Sequence, residues 1–212
     1  MTQPGVFITL EGPDGSGKST QAALLAELLR EITGREVIAT FEPGDTPLGQ
    51  QLRQAVQHGE AMGPHAEALL YAADRAHHVA TLVRPALARG AIVVCDRYLD
   101  SSVAYQAAGR SLPAAEIEAL SLWATGGLLP DLTILVDVDD ATARTRQSGE
   151  LDRIEAEGPE FRQLVRQQYL DRAAADPTRW AVVDGAGEIA DVAAAVAGEV
   201  TARLPVELGL GG

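Results

Sequence analysis

Five short apolar runs, spaced along the chain, predict the strands of a β-sheet. The runs at 91–95 and 132–136 are apolar throughout, which is typical of the central strands of a parallel sheet that is covered on both faces. A run at 6–10 predicts the first strand, a weaker run at 36–40 the second, and 180–183 the fifth.

Longer amphipathic stretches separate these runs and predict helices. The stretch at 18–32 places Ala22, Leu25, Leu29 and Ile32 on one stripe. Six further stretches show helical patterning: 47–57, 64–89, 114–123, 141–147, 159–175 and 189–204. Because strands and helices alternate, we predict an α/β fold, a three-layer sandwich in which helices flank a five-stranded parallel sheet.

The length of the chain predicts one domain. We expect this domain to cover 1–206 and to leave 207–212 as a flexible tail. A charged stretch at 144–157 is interpreted as a surface excursion within the domain.

Composition narrows the class of protein. Hydrophobic residues make up 46% and charged residues 22%, as in soluble globular domains, and no apolar run approaches the roughly 20 residues of a membrane-spanning helix. The N-terminus lacks the pattern of a secretory signal and the single cysteine cannot form an internal disulfide, so we expect a cytoplasmic protein. A net charge of −13 disfavours polymeric nucleic acid as a partner but allows small anions such as nucleotides.

The strongest motif is GPDGSGKST at 12–20, which matches the phosphate-loop pattern G-x-x-x-x-G-K-[ST] between a predicted strand and a predicted helix. Its glycines allow backbone N–H groups to point at phosphate oxygens. We expect Lys18, the only lysine, to reach the β- and γ-phosphates of a nucleoside triphosphate, and the Ser19 hydroxyl to hold Mg²⁺. The expected ATP-binding residues are Gly12, Pro13, Asp14, Gly15, Ser16, Gly17, Lys18, Ser19 and Thr20. The flanking strand and helix disfavour the alternative, a glycine-rich turn without a ligand.

Other features separate the classes of phosphate-loop protein. A GTP-dependent switch reads guanine with an Asn-Lys-x-Asp motif, but this chain has no asparagine. Its length and acidity are poorly suited to a helicase or motor. A small phosphotransferase remains, and such an enzyme needs a second site for the acceptor.

Two charged residues, Asp96 and Arg97, follow the predicted strand at 91–95 and are expected to open into the cleft at the carboxyl ends of the strands. Arg97 suits an acceptor phosphate, which it can bind with two parallel hydrogen bonds. Asp96 is expected to steady Mg²⁺ through water or to orient Arg97. The alternative is a structural ion pair at the strand end.

Tyr71 and Arg75 lie four residues apart on the predicted helix 64–89 and can stack on a base and bind its edge. The alternative is an ordinary surface pair. The apolar face of this helix is expected on the opposite side, at Leu69, Ala73, Ala76 and Ala80.

A few conspicuous side chains are predicted to have no chemical role. The tryptophans Trp123 and Trp180 are expected to pack against apolar segments. Solvated helix positions, rather than zinc ligation, are expected for His58, His65, His77 and His78.

Together these motifs resemble the thymidylate kinase family, whose members phosphorylate dTMP to dTDP with ATP. The resemblance covers nearly the whole chain, and five motifs occur in the family's order: EGPDGSGKST at 11–20, FEPGDTPLGQQLR at 41–53, LLYAADRAHHV at 69–79, DRYLDSSVAYQ at 96–106 and GELDRIE at 149–155. It implies a P-loop nucleoside monophosphate kinase domain with a mobile lid at about 144–157, and a homodimer.

The resemblance also implies roles for single residues. Asp14 matches a carboxylate that contacts the deoxyribose 3′-hydroxyl or the metal region, and Tyr71 replaces the aromatic residue that stacks on thymine. Arg75 matches the arginine that reads the base edge, Arg97 the ligand of the acceptor phosphate, and Tyr105 a residue that crowds a ribose 2′-hydroxyl. The remaining substrate-side positions are Glu42, Pro43, Arg53, Ser101, Ser102 and Gln106.

At two positions this chain differs from its relatives, and at a third position the relatives differ among themselves. Phe41 stands where bacterial relatives usually have arginine, and Asp45 where a second glycine is common. Gly15 occupies a loop position at which some relatives carry arginine, so this chain resembles the type that supplies a catalytic arginine from the lid. The candidates, which would act with Lys18, Arg97 and Asp14, are Arg144, Arg146 and Arg153.

Two other functions remain open from the sequence alone. In a deoxynucleoside kinase the acceptor is a sugar hydroxyl, which needs a base, and Glu42 is the candidate. The other alternative is a regulatory module that binds ATP without turnover.

Overall fold

The five predicted strands form one parallel sheet in a computed structural model that describes residues 3–107, 112–146 and 158–210. They are β1 (Val6–Glu11), β2 (Val37–Phe41), β3 (Ile92–Asp96), β4 (Leu132–Asp137) and β5 (Trp180–Asp184). Their order across the sheet is β2-β3-β1-β4-β5, and each neighbouring pair is parallel. The predicted α/β fold is confirmed, and the strand bounds differ from the prediction by at most one residue at each end.

Helices cover both faces of the sheet. Alternate side chains of β1 enter different cores: Val6, Ile8 and Leu10 pack on one face, whereas Phe7 packs on the other. The first face is covered by α1 (Lys18–Thr33) and α9 (Ile189–Arg203). The other helices are α2 (Pro47–His58), α3 (Pro64–His78), α4 (Arg84–Ala88), α5 (Leu99–Ser102), α6 (Ala114–Thr125), α7 (Asp140–Arg146) and α8 (Pro159–Ala175).

The helix predicted over 64–89 keeps a helical path but contains a π-helical segment at Val79–Val83, between α3 and α4. Pro85 has no backbone N–H, which removes one α-helical hydrogen bond at this point. The neighbouring Arg84 N–H bonds to the Val79 carbonyl, five residues back.

The prediction of the apolar face of α3 was wrong. Leu69, Ala73 and Ala80 are exposed, whereas Arg75 and His78 on the other side are buried. The buried side chains of Arg75 and His78 are tolerated because both form hydrogen bonds with other buried groups, which are described below.

The prediction that both tryptophans pack against apolar segments was wrong for Trp123, which is 82% exposed, whereas Trp180 is buried as predicted. Of the residues predicted to form a flexible tail, Leu208 is buried in the core beside α1 and α9, and Arg35 donates a hydrogen bond of 2.6 Å to the Glu207 carbonyl. Gly209 and Leu210 are exposed, and 211–212 lie outside the described residues.

None of the helices within the described ranges is long and apolar enough to cross a membrane.

Candidate active site

A cavity of about 340 Å³ opens where the carboxyl ends of β1, β2 and β3 meet the phosphate loop. The ten substrate-side residues predicted from the sequence all line it: Glu42, Pro43, Arg53, Tyr71, Arg75, Arg97, Ser101, Ser102, Tyr105 and Gln106. Asp14, Lys18, Ser19 and Asp96 line it as well. The structure thus brings residues from four of the five sequence motifs to one cleft.

The phosphate loop passes from β1 into α1 and can only be made with glycine at Gly15. The backbone there has φ of 82°, and a Cβ atom would lie 2.2 Å from the Ala143 carbonyl oxygen of α7. A side chain at this position, where some relatives carry arginine, would therefore require the backbone of the loop or of α7 to move.

Lys18 is buried in the loop. Its Nζ donates to the Pro13 carbonyl at 3.2 Å and lies 3.5 Å from Asp14 Oδ1. Burial and the nearby Arg97 lower the pKa of Lys18, and Asp14 opposes them. A phosphate group beside this ammonium would stabilise the positive charge that burial disfavours.

Ser19 and Asp96 meet at the mouth of the loop, where the Ser19 hydroxyl donates to Asp96 Oδ2. Asp96 Oδ1 is buried and has no hydrogen-bond partner among the described residues. A hydroxyl beside a carboxylate with one unused oxygen provides the hard oxygen ligands that Mg²⁺ prefers. These two residues therefore fit the predicted metal.

Asp14, Arg97 and Tyr105 form a hydrogen-bonded group on the far side of the cavity. Arg97 Nη2 donates to Asp14 Oδ1 and, at 3.2 Å, to the Tyr105 hydroxyl, which itself donates to Asp14 Oδ2 at 2.9 Å. Burial disfavours the ionised carboxylate, but Arg97 and Lys18 outweigh it and hold the pKa of Asp14 below its usual range. The carboxylate that pairs with Arg97 is thus Asp14, and the alternative of an Asp96–Arg97 ion pair is wrong.

Arg75 is deeply buried. Its Nε donates to Glu42 Oε2 at 2.8 Å, Nη1 to Ser121 at 3.2 Å, and Nη2 to Ser102 and the Tyr98 carbonyl at 3.1 Å each. Burial alone would lower the pKa of Arg75, but Glu42 raises it. Arg75 is therefore held rigidly against the cavity wall and is not the surface residue of the alternative interpretation.

His78 is a further residue of this buried group. Its Nδ1 lies 2.8 Å from Glu42 Oε1, and its Nε2 lies 2.7 Å from Thr40 Oγ1. The prediction of a solvated helix position was wrong for His78, because its position on α3 directs the side chain into the protein. Both oxygens of Glu42 are engaged in this way, one by Arg75 and the other by His78.

The two positions that depart from relatives, Phe41 at the end of β2 and Asp45 in the loop that follows, have identifiable contacts. The Arg53 guanidinium lies 5.9 Å from the ring centroid of Phe41 and donates to the Pro43 carbonyl at 2.8 Å. Thr40 Oγ1 donates to Asp45 Oδ2 at 2.5 Å. Phe41 and Arg53 thus form part of the cavity wall, and Asp45 stands behind it.

The structure does not bring Arg146 to the cavity. Its guanidinium donates to the carbonyls of Gly185, Ala186 and Gly187 at 2.7, 3.0 and 3.3 Å. Arg144 is exposed on the same helix, α7. Arg153 and the motif at 149–155 lie outside the described residues.

Sequence reasoning missed two buried groups behind the cavity, Glu11 and Tyr169. Glu11 ends β1 directly before the phosphate loop, is fully buried and accepts four hydrogen bonds. Tyr169 on α8 donates one of them. An acidic residue at the end of an otherwise apolar strand is the signal that would have identified Glu11.

A parallel sheet with a phosphate loop after its central strand, facing a cavity lined by arginines, defines a P-loop phosphotransferase with a second, acceptor site. The family model described as thymidylate kinase matches residues 10–196. A thymidylate kinase of Clavibacter sepedonicus is 59% identical over 98% of this chain and 98% of its own, and one of Bifidobacterium longum (strain DJO10A) is 50% identical over 92% and 97%. The crystal structure of thymidylate kinase from Ehrlichia chaffeensis superposes with a TM-score of 0.77 at 33% identity, covering 93% of this chain and 99% of that one. The chain belongs to the thymidylate kinase family.

Proposed function

We propose that this enzyme transfers the γ-phosphoryl group of ATP to dTMP, which gives dTDP. The observation that carries the proposal is the position of Asp14 Oδ1, which contacts both Lys18 Nζ and Arg97 Nη2. The cation of the phosphate loop and the cation of the acceptor cavity thus flank one carboxylate. Two phosphate groups held by these cations would face each other across the cleft.

The acceptor is a phosphate oxygen, so the chemistry needs no general base. The second pKa of a phosphate monoester is near 6, and at neutral pH the attacking oxygen is mostly ionised already. Lys18 and Arg97 bring two anions together and stabilise the charge that shifts between them. Ser19 and Asp96 are the residues that would hold Mg²⁺, which neutralises charge on the donor phosphates when bound.

Recognition of the nucleoside falls to the buried wall of the cavity. Tyr71 offers an aromatic face for the base, and Arg75 presents a fixed guanidinium edge to it. Tyr105 stands beside Asp14 at the sugar end of this wall, where its ring leaves little room for a 2′-hydroxyl. These contacts favour a pyrimidine deoxyribonucleotide.

The geometry does not favour a deoxynucleoside kinase. That reaction needs Glu42 as a base, but both Glu42 oxygens are hydrogen-bonded to cationic or imidazole partners. Both oxygens already have a partner, so the geometry gives no support to Glu42 as the base.

We further propose that an arginine of the lid at 144–157 supplies the last positive charge. Arg146 is occupied by three backbone carbonyls, and Arg144 points to solvent from α7. Arg153 is therefore the preferred candidate. We expect it to contribute about 10³-fold in rate, as arginine fingers do in related phosphoryl transfers.

A homodimer is proposed from the apolar residues that α3 and α6 leave exposed. Leu69 and Ala73 of α3 and Ala80 of the π-helical segment that follows it are exposed, and so are Ala119 and Trp123 of the adjoining α6. An exposed apolar face shared by two packed helices is typical of a protein–protein interface.

The test is phosphoryl transfer from ATP with dTMP or thymidine as the sole acceptor. We expect rapid turnover with dTMP, little with thymidine, and none with a Lys18→Ala variant. Turnover with thymidine alone would contradict the role of Arg97, and full dTMP turnover by Lys18→Ala would contradict the role of the phosphate loop.

A further inference from the structure

Glu11 is a buried carboxylate that does not line the cavity but is bonded to groups on two other elements. Its Oε1 accepts from the backbone N–H groups of Tyr98 at 2.8 Å and Ser101 at 3.3 Å. Its Oε2 accepts from the Ser101 hydroxyl at 2.6 Å and the Tyr169 hydroxyl at 3.1 Å. Four donors on one carboxylate fix its position and leave it few free lone pairs.

The two hydroxyls that donate to Glu11 also accept from Arg97. Arg97 Nη1 lies 3.0 Å from Ser101 Oγ and 3.3 Å from the Tyr169 hydroxyl oxygen. Each hydroxyl has a single proton, and the two hydroxyl oxygens also lie 2.9 Å apart. A proton that is directed at Glu11 leaves the lone pairs of its oxygen available to the guanidinium. Glu11 thereby turns two hydroxyls that are able to donate or accept into fixed acceptors for Arg97.

The backbone around Arg97 is held from the same place. Arg97 has φ of 69°, a left-handed conformation that is unusual for a residue with a side chain. Its N–H bonds to the Leu10 carbonyl at 2.9 Å, and the next N–H, that of Tyr98, bonds to Glu11. Leu10 and Glu11 at the end of β1 thus bond to the N–H groups on both sides of the Arg97 Cα atom and stabilise the left-handed conformation of Arg97.

Burial and the neighbouring Asp100 raise the pKa of Glu11 to about 7, which means that the ionised form is costly here. The protein tolerates that cost at a residue that directly precedes the phosphate loop and is connected to Arg97 through Ser101, Tyr169 and the Tyr98 amide.

We propose that Glu11 is a positioning residue for the acceptor phosphate: through Ser101, Tyr169 and the Tyr98 amide, it fixes the backbone and the guanidinium of Arg97. The proposal rests on the proposed function of Arg97 as the acceptor-phosphate ligand. Glu11 itself contacts no substrate in this account.

Glu11→Gln tests the proposal, since it keeps the shape of the side chain but replaces one carboxylate oxygen with an amide that donates. The fully buried Asp100 provides a comparison in the same region: it carries ion pairs to Arg172 and Arg179 and none to Arg97, and its loss would favour the ionised form of Glu11. We expect Glu11→Gln to weaken dTMP binding about tenfold, measured as Kd by calorimetry, and to leave the Kd of ATP essentially unchanged. Asp100→Asn is expected to lower thermal stability without this selective loss of dTMP affinity.

Tyr169→Phe provides a second variant, which keeps the aromatic packing but removes the hydroxyl that contacts Glu11 and Arg97. It should weaken dTMP binding by less than Glu11→Gln, and the double variant should lose less than the product of the two single effects. Unchanged dTMP affinity in both variants, or the same loss in Asp100→Asn, would overturn the role of Glu11. Wild-type protein that binds dTMP but does not phosphorylate it would contradict the proposed function and leave the binding comparison intact.

Discussion

At the scale of single residues, buried ion pairs fix the side chains that line the cavity. Glu42 and Arg75 are each 3% exposed and lie 2.8 Å apart, while the exposed pair Glu36 and Arg89 has the same separation. The two pairs therefore differ in exposure and not in distance. Removal of a charge should matter greatly at the first and little at the second.

Glu42→Gln leaves Arg75 buried beside a neutral amide, and we expect it to lower the free energy of unfolding by about 3 kcal/mol. Urea unfolding measures this value. The matched control Glu36→Gln should leave the unfolding midpoint unchanged. Equal effects of the two substitutions would show that the buried pair is not a stabilising feature of the cavity wall.

Glu11 also predicts a pH dependence of stability. Its pKa is raised from 4.5 to about 7 in the folded protein by burial and Asp100. Between these values the folded protein retains a proton that the unfolded chain has released, so the free energy of unfolding falls as the pH rises through this window. Wild-type stability should therefore decline more steeply from pH 5 to pH 7 than that of Glu11→Gln, as urea unfolding at stepped pH would measure. Parallel curves for the two proteins would contradict the raised pKa.

At the scale of elements, the phosphate loop depends on the close approach of α7. Gly15→Ala places a Cβ atom against the Ala143 carbonyl and also strains a backbone with φ of 82°. We expect it to weaken ATP binding at least tenfold and to lower the melting temperature. Gly63→Ala, at the start of α3, is a suitable control because nothing lies within 4 Å of the added atom and φ is −69°. Calorimetry with ATP gives the comparison, and equal ATP affinity in both variants would contradict this account of the loop.

Helix α8 connects several parts of the site and follows the predicted lid directly. Its Tyr169 contacts Glu11, its Arg172 pairs with Asp100, and its Arg166 pairs with Asp137 at the end of β4. Helix α8 is thus anchored to the ends of β1 and β4 and to α5.

The sequence predicted the elements better than their orientations. Apolar runs located all five strands, and most clearly the central strands β1, β3 and β4, which are buried on both faces. The same reasoning placed Leu69 and Ala73 in the core and left His78 in solvent, since hydrophobicity alone does not reveal that a buried face is lined by paired polar groups. Motif spacing identified the cavity residues, whereas Glu11 and Tyr169 required the tertiary contacts. The π-helical segment at Val79–Val83 was not predicted either, although Pro85 marks its place.

At the scale of the whole molecule, the exposed apolar residues of α3 and α6 predict self-association. Leu69 is 56% exposed and Trp123 is 82% exposed, and a charge at either position should disrupt a dimer formed through this face. We expect the double substitution Leu69→Glu with Trp123→Glu to give a monomer by light scattering. Val206 is 78% exposed but lies near the C-terminus, away from both helices, so Val206→Glu should leave a dimer intact. A wild-type monomer, or dissociation by Val206→Glu as well, would contradict the assignment of this face.

The central claim is that Arg97 holds the phosphate of the acceptor, and the difference between dTMP and thymidine binding tests it most directly. Calorimetric titration of the wild type and of Arg97→Met with each compound gives the four affinities. We predict that Arg97→Met weakens dTMP binding about 100-fold, because a charge-assisted phosphate contact is lost, and barely changes thymidine binding. An equal loss for both compounds, or no loss for dTMP, would contradict the account.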